Sequence, residues 1–136
     1  MAGVGRVVVS HSRPLADAAV ALARQMLPGR DLAIEVAAGT EDGGLGTDAV
    51  AVSEAITAAD SGAGVVVLMD LGSAVLSAET ALELLDDEVR DRVLLSPAPL
   101  VEGLVGAVVV AAGGADRDRV AAEAMLGLAP KQAHLG

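Results

Sequence analysis

The sequence predicts an α/β domain, a mostly parallel β-sheet with helices on both faces. Two observations carry that expectation. Short, nearly continuous apolar runs such as Arg6 to Ser10 and Gly64 to Met69 alternate with longer segments of helical period, the pattern of strands covered on both faces and joined by right-handed helical crossovers. Hydrophobic residues make up 53% of the 136, yet none is Phe, Tyr or Trp, so the core must be built from Val, Leu, Ala, Ile and Met in closely packed, regular elements.

Taken in order, Arg6 to Ser10 reads as the first strand. Pro14 sits near the first turn of the helix that follows, with Ser12 as its cap. From Leu15, the residues Ala18, Ala19, Leu22, Ala23 and Met26 recur at helical spacing until Pro28-Gly29. Asp31 to Ala37 reads as a second strand, Gly39 to Gly46 as a glycine-rich loop, and Asp48 to Ala59 as a second helix capped by Thr47. Gly64 to Met69 is the third strand, Asp70-Leu71-Gly72-Ser73 the turn after it, and Ala74 to Leu85 a helix. Arg92 to Ser96 is a fourth strand. Leu100 to Ala112 is apolar nearly all round, a core helix or a subunit interface, in which Gly103 and Gly106 admit a neighbouring backbone. A short helix over Arg117 to Leu126 precedes a polar tail ending KQAHLG. No linker or low-complexity tract interrupts residues 1–136, which are expected to form a single domain.

The charge balance narrows function. Nineteen acidic residues against nine basic ones give a net charge of −10 with no basic stripe, which argues against a nucleic-acid partner. No apolar stretch reaches the ~20 residues of a membrane span, and MAGVGRVVVS lacks the charged and apolar regions of a signal peptide. A cytoplasmic location is the expectation. The absence of cysteine removes disulfides, thiolate catalysis and thiolate metal sites.

In such sheets, chemistry collects at the carboxyl ends of strands whose connections leave to opposite faces. His11 follows the first strand and Asp70 the third. If those strands are neighbours, the two side chains meet. A carboxylate on one ring nitrogen fixes the tautomer and presents the lone pair of the other, which makes a nucleophile or a base; a merely structural hydrogen bond is the alternative. Around the pair stand a helix start, the hydroxyls of Ser10, Ser12 and Ser73, and the glycines 39 and 72, groups that suit a phosphoryl anion. Arg13 could add positive charge or be a surface residue.

Other chemistries lack support. There is no Gly-Lys-Ser/Thr phosphate loop and no GxGxxG after the first strand. Ser73, His11 and Asp70 can be drawn as a hydrolase triad, but no GxSxG elbow accompanies them. One histidine and one aspartate are too few for a metal, so neither a metal nor another cofactor is expected. His134 lies in the tail.

The motifs VSHS (9–12), AGT (38–40), GTDAV (46–50), SEAI (53–56), MDLGSAVLSAETALELL (69–85) and PAPLVEG (97–103), with the closing KQAHLG, resemble the mannose-type IIA (EIIA) family of the bacterial phosphotransferase system. More narrowly they resemble the phosphotransferase subunit of the phosphoenolpyruvate-dependent dihydroxyacetone kinase. Sugar-transport relatives carry a Gly-Gly turn after the aspartate, so DLGSA favours the kinase branch. The resemblance implies a homodimeric mannose-type EIIA fold in which His11 accepts a phosphoryl group from the phosphocarrier HPr. His11 then passes it to ADP on a partner kinase subunit, which phosphorylates dihydroxyacetone bound on a third. It assigns the supporting role to Asp70 and the pocket lining to Ser12, Gly39, Thr40, Gly72 and Ser73, with Nε2 as the phosphorylated nitrogen. Two alternatives stay open: a sugar-transport IIA component that donates to a membrane-associated IIB partner, and a regulatory docking module without chemistry.

Overall fold

The computed structural model describes residues 3–136; Met1 and Ala2, the start of the stretch read above for a signal peptide, lie outside the described residues. Four strands, β1 (Gly5–Ser10), β2 (Ile34–Ala38), β3 (Val65–Met69) and β4 (Val93–Ser96), form one sheet in the order β2-β1-β3-β4. Every pairing is parallel, as the continuous apolar runs predict. β1 and β3 occupy the centre and are buried throughout.

Alternation along those strands divides the core in two. Val8 of β1, with Val66 and Leu68 of β3, joins a cluster with α1 (Arg13–Arg24), α5 (Leu100–Ala112) and α6 (Arg117–Met125). Val7, Val9, Val65, Val67 and Met69 point the other way, against α2 (Ala49–Ala59) and α3 (Gly72–Glu83). Helices therefore cover both faces of the α/β sheet. Small residues line these contacts, including Ala16, Ala23, Ala74, Ala78 and Ala107, all at 0% exposure, so a core without aromatics closes by bringing backbones near one another.

Gly103 shows how tightly. A Cβ there would stand 3.0 Å from the Cβ of Ala98 and 3.3 Å from the carbonyl oxygen of Ala124 in α6. The close approach anticipated at Gly103 and Gly106 is thus made, within the chain, by α6. Val101 and Val109 on the other side of α5 are exposed.

Several boundaries differ from the sequence reading. The second strand begins at Ile34 instead of Asp31, because Ile34 N–H turns back onto the Leu32 carbonyl at 2.9 Å and the ladder with β1 starts after it. Asp48, not Thr47, caps α2: its carboxylate accepts the Val50 N–H at 2.9 Å, while Thr47 Oγ1 lies 2.5 Å from Ser77 Oγ of α3. Gly72 and Ser73 form the first turn of α3 and are not part of the loop before it. A short helix α4 (Asp87–Arg90) precedes β4. Beyond a 3-10 turn at Leu126–Leu128, the expected polar tail is a helix, α7 (Ala129–Leu135). An ion pair at 2.5 Å between Lys131 and Glu102 of α5 ties it down.

Candidate active site at the carboxyl edge of the central strands

Parallel pairing of β1 with β3 sets Val9 against Met69, so the next residues, Ser10 and Asp70, leave the sheet side by side. Asp70 N–H extends the ladder by donating to the Val9 carbonyl at 3.1 Å. Beyond this point α1 joins the α5/α6 layer and α3 the α2 layer. The crevice between the diverging chains is where His11 and Asp70 meet, as their positions in the sequence predict.

The Asp70 carboxylate is the hub. Oδ1 accepts from His11 Nδ1 at 2.8 Å and from the Leu71 N–H at 2.7 Å. Oδ2 accepts from Ser10 Oγ at 2.8 Å and from the His11 N–H at 3.0 Å. Burial on its own would raise the pKa of this side chain. The four donors outweigh that effect and hold it below its ordinary 3.8. Asp70 is therefore a carboxylate at neutral pH, and its side chain is only 9% exposed.

An ionised carboxylate can only accept, so the proton on the facing nitrogen of His11 is on Nδ1 and the lone pair is on Nε2. The ring is 23% exposed, open enough to be reached and fixed enough to be aimed. Nε2 lies against Ser73 Oγ, whose hydroxyl donates to it. Ser73 lies in the first turn of α3, and that helix has no side-chain cap at its start. By contrast, α1, α2 and α6 are capped by Ser12, Asp48 and Asp116. Of the first-turn N–H groups beside His11 Nε2, that of Ala74 donates to the Leu71 carbonyl at 2.9 Å, and those of Gly72 and Ser73 present partial positive charge with no side-chain acceptor, a ready seat for an oxyanion.

Not every residue selected from the sequence faces that seat. Ser12 Oγ is engaged as the α1 cap, accepting from Leu15 N–H at 3.3 Å. Gly39 stands behind the histidine with φ 72°, its N–H donating to the Ser10 carbonyl at 3.1 Å. A Cβ on Gly39 would meet the Gly44 carbonyl oxygen at 3.0 Å. Thr40 is consumed within the 39–46 loop: its hydroxyl donates to Asp42 and accepts the Gly44 N–H at 3.0 Å. The hydrogen bond that Asp42 accepts from that threonine lowers the Asp42 pKa. What the loop does contribute is Gly46, whose N–H donates to the His11 carbonyl at 2.9 Å and pins the backbone that carries the ring. Gly72 lies in the first turn of α3 with open space around it. Arg13 pairs with Asp17 at 3.3 Å on the surface.

Ser10, read above as one of the hydroxyls suited to a phosphoryl anion, is instead built into the centre. Ser10 is fully buried, donates to Asp70 and accepts the Ser12 N–H at 3.1 Å. Its signal was present in the sequence: a hydroxyl ending an otherwise apolar, doubly covered strand is unfavourable unless it has a partner. Among the described residues no group of three or more His, Cys, Asp or Glu side chains is placed to hold a metal ion, and no helix is long and apolar enough to cross a membrane.

Comparison with known proteins adds the following. The family model EIIA-man, described as "PTS system fructose IIA component", matches residues 5–121. The phosphoryl donor subunit DhaM of the PEP-dependent dihydroxyacetone kinase of Pantoea ananatis is 53% identical over 135 residues, 98% of this chain and 28% of that protein. Its counterpart from Escherichia coli is 50% identical over 135 residues, 98% of this chain and 29% of that protein. The chain thus spans less than a third of the length of these two relatives. In Listeria innocua, the phosphoryl donor subunit DhaM of PEP-dependent dihydroxyacetone kinase 2 is 40% identical over 103 residues, 76% of this chain and 82% of that shorter protein. The crystal structure of EF1359, a protein of unknown function, superposes with a TM-score of 0.82 at 34% identity, covering 92% of this chain and 94% of that one. A sigma-54 interaction domain protein from Enterococcus faecalis shares the fold, with a TM-score of 0.69 at 15% identity, over 98% of this chain and 96% of that one.

Proposed function

The chain belongs to the EIIA-man family and resembles its DhaM branch throughout, and on that premise we propose that it is a phosphocarrier of a PEP-dependent dihydroxyacetone kinase. In this reading it is a phosphotransferase, takes a phosphoryl group from HPr on His11 and hands it to ADP held by a partner kinase subunit. The observation that carries the reading is the presentation of His11 Nε2, its tautomer fixed by Asp70, against the uncapped start of α3.

The step proceeds by exchange of one P–N bond for another. The lone pair of Nε2 attacks phosphorus in line, a new P–N bond forms, and the bond to the donor's imidazole breaks with its electron pair returning to that ring. Ser73 Oγ–H, released from Nε2, and the first-turn amides of α3 are placed to donate to the phosphoryl oxygens. Positive charge left on the His11 ring falls on the side held by Asp70, which stabilises it. Gly39 and Gly46 keep the loop off the ring and the backbone in place. Of the residues expected to line the pocket, Ser12 and Thr40 act through the backbone they hold. Onward transfer repeats the step with a terminal phosphate oxygen of ADP as the nucleophile. Neither a metal nor an organic cofactor resident on this chain is invoked.

A protein surface fits this exchange better than a closed pocket. Leu45, Leu71, Val75 and Leu76, neighbours in the chain of Gly46, Asp70 and Ser73, are 40–81% exposed, an apolar rim of the kind that docks partner proteins. We further propose a cytoplasmic location, a homodimer, and residues 1–136 as one IIA domain.

Intact-mass spectrometry at mildly alkaline pH tests the proposal, after incubation with phosphoenolpyruvate, enzyme I and HPr. One acid-labile phosphoryl adduct, absent from His11→Ala and discharged by the ADP-loaded kinase subunit, is the expected result. An adduct discharged only by a IIB protein would instead make this a sugar-transport component. No adduct with competent donors would leave a docking module.

A further inference from the structure

At the opposite edge of the sheet from His11 lies a cavity of about 710 Å³, lined by Val4, Arg6, Arg30, Leu32, Ala112 and Gly114 among others. Five residues of extended chain put Arg6 about 16 Å from His11, so the cavity is separate from the site just described. Arg6 stands on the strand face that Val4 and Val8 give to the α1/α5/α6 core, at 3% exposure. Among the described residues its Nε, fully buried, has no hydrogen-bond partner. Burial first, and the nearby charge of Arg24 second, lower its pKa to about 10. It is still a cation at neutral pH.

The neighbourhood is unusual for this chain. Arg13, Arg90, Arg92, Arg117, Arg119 and Lys131 all stand within 4.0 Å of a carboxylate. The remaining basic side chains, Arg6, Arg24 and Arg30, have no such pairing among the described residues, although the protein carries ten excess negative charges. All three lie at this one end. Arg30 donates to the Ala112 carbonyl at 3.1 Å through one guanidinium nitrogen, which offsets the negative end of α5 and leaves further donors free.

We propose that this cavity binds a small organic oxyanion, a carboxylate or a phosphate ester, with the guanidinium of Arg6 as its floor and Arg30 as its second anchor. A guanidinium fork matches two oxygens of either head group, and an anion seated in the cavity that Arg6 lines supplies the counter-charge its guanidinium lacks among the described residues. Val4, Leu32 and Ala112 suit a short carbon skeleton. Asp31 and Asp116, exposed at the rim, disfavour a polyanion and favour a ligand carrying one anionic group and hydroxyls; Asp116 is already engaged in capping α6.

Amide NMR at constant ionic strength, with inorganic phosphate and pyruvate titrated separately as probes, tests this. The expected result is saturable shifts at Arg6, Leu32 and Gly114 with at least one probe, and which probe acts identifies the head group. Arg6→Leu, whose side chain suits the apolar face, should weaken that binding at least tenfold, and Arg6→Lys, which keeps the charge but loses the fork, should weaken it less. The same anion should raise the melting temperature of the wild type and not of Arg6→Leu. Were Arg6→Leu to fail to fold, Arg30→Ala should weaken the binding instead. Shifts confined to Gly39, Gly72 and Ser73 would place the anion at His11 only and overturn the proposal, as would the absence of saturation with both probes or unchanged binding in Arg6→Leu.

Discussion

Strand β1 sets a buried or half-buried charge at each of its ends, and the two ends treat it in opposite ways. At the carboxyl end, the Asp70 carboxylate meets four donors, two from His11 and one each from Ser10 and Leu71, and its pKa falls. At the amino end, the Arg6 guanidinium has a buried Nε with no acceptor among the described residues, and its pKa falls as well. The same direction means opposite things. For an acid, a lowered pKa records a favoured charge; for a base, it records a disfavoured one. The carboxyl end is thus pre-organised to keep its charge in place during chemistry, whereas the amino end holds a charge that something else has to answer.

Removing the acceptor nitrogen is the severest test of that contrast: His11→Ala is expected to abolish the phosphoryl adduct by mass spectrometry while leaving the circular dichroism spectrum of the fold unchanged, because the ring is partly exposed and its loss opens no core cavity. Next, Asp70→Ala should slow phosphorylation by about 10²-fold, since the ring loses its fixed tautomer and the support for its developing charge. It should also cost about 1–3 kcal/mol in denaturant unfolding, because Ser10 Oγ–H and the His11 and Leu71 N–H groups lose their acceptor. Arg6→Leu should do the reverse, stabilising the anion-free protein by about 1–3 kcal/mol as an unanswered polar group leaves the interior. A loss of stability there would mean that Arg6 is satisfied in the free protein, and the contrast between the two ends would collapse.

Acid sharpens the comparison more gently. Because the folded-state pKa of Asp70 is depressed below 3.8, the stability it contributes is fully present above about pH 4 and is lost as pH falls through the depressed value. Asp60, whose carboxyl is lowered chiefly by its hydrogen bonds from Arg92, adds a second contribution of the same sign. Urea midpoints recorded from pH 7 down to pH 3 should fall less steeply for Asp70→Ala than for the wild type. The smallest effect belongs to Ser73→Ala. It removes a single exposed hydroxyl, and a change in phosphorylation rate within about tenfold is expected from stopped-flow transfer from HPr.

The sheet was legible in the sequence because β1 and β3 are written in Val, Leu and Met with no competing helical period, and His11 and Asp70 were legible as the first polar residues with side-chain chemistry beyond them. Ser10 was harder to rank, since its importance lies in a partner sixty positions away. Thr47 and Asp48 are both competent caps by type; only the packing of α2 on α3, which draws Thr47 to Ser77, separates them. α7 escaped because seven residues are too few to hold a helix unaided; what stabilises it is the Lys131–Glu102 pair and the turn before it. The cavity at Arg6 left only one trace, a cation inside an apolar strand. The helix face that buries it comes from the far end of the chain.

The pairing of β1 with β3 also makes the site a sensor of the chain's own completion. His11 leaves the ribosome 59 residues ahead of the aspartate that aims it, and α1, β2 and α2 must all be threaded past before the two can meet. A slip of one residue between the central strands would carry Asp70 to the wrong side of the pleat and dissolve the hub. Under the proposed function, phosphoryl acceptance at His11 would therefore also report folding: a nascent or misregistered chain carries the histidine without the support of Asp70 and should accept the group far more slowly than a chain whose central pair has closed.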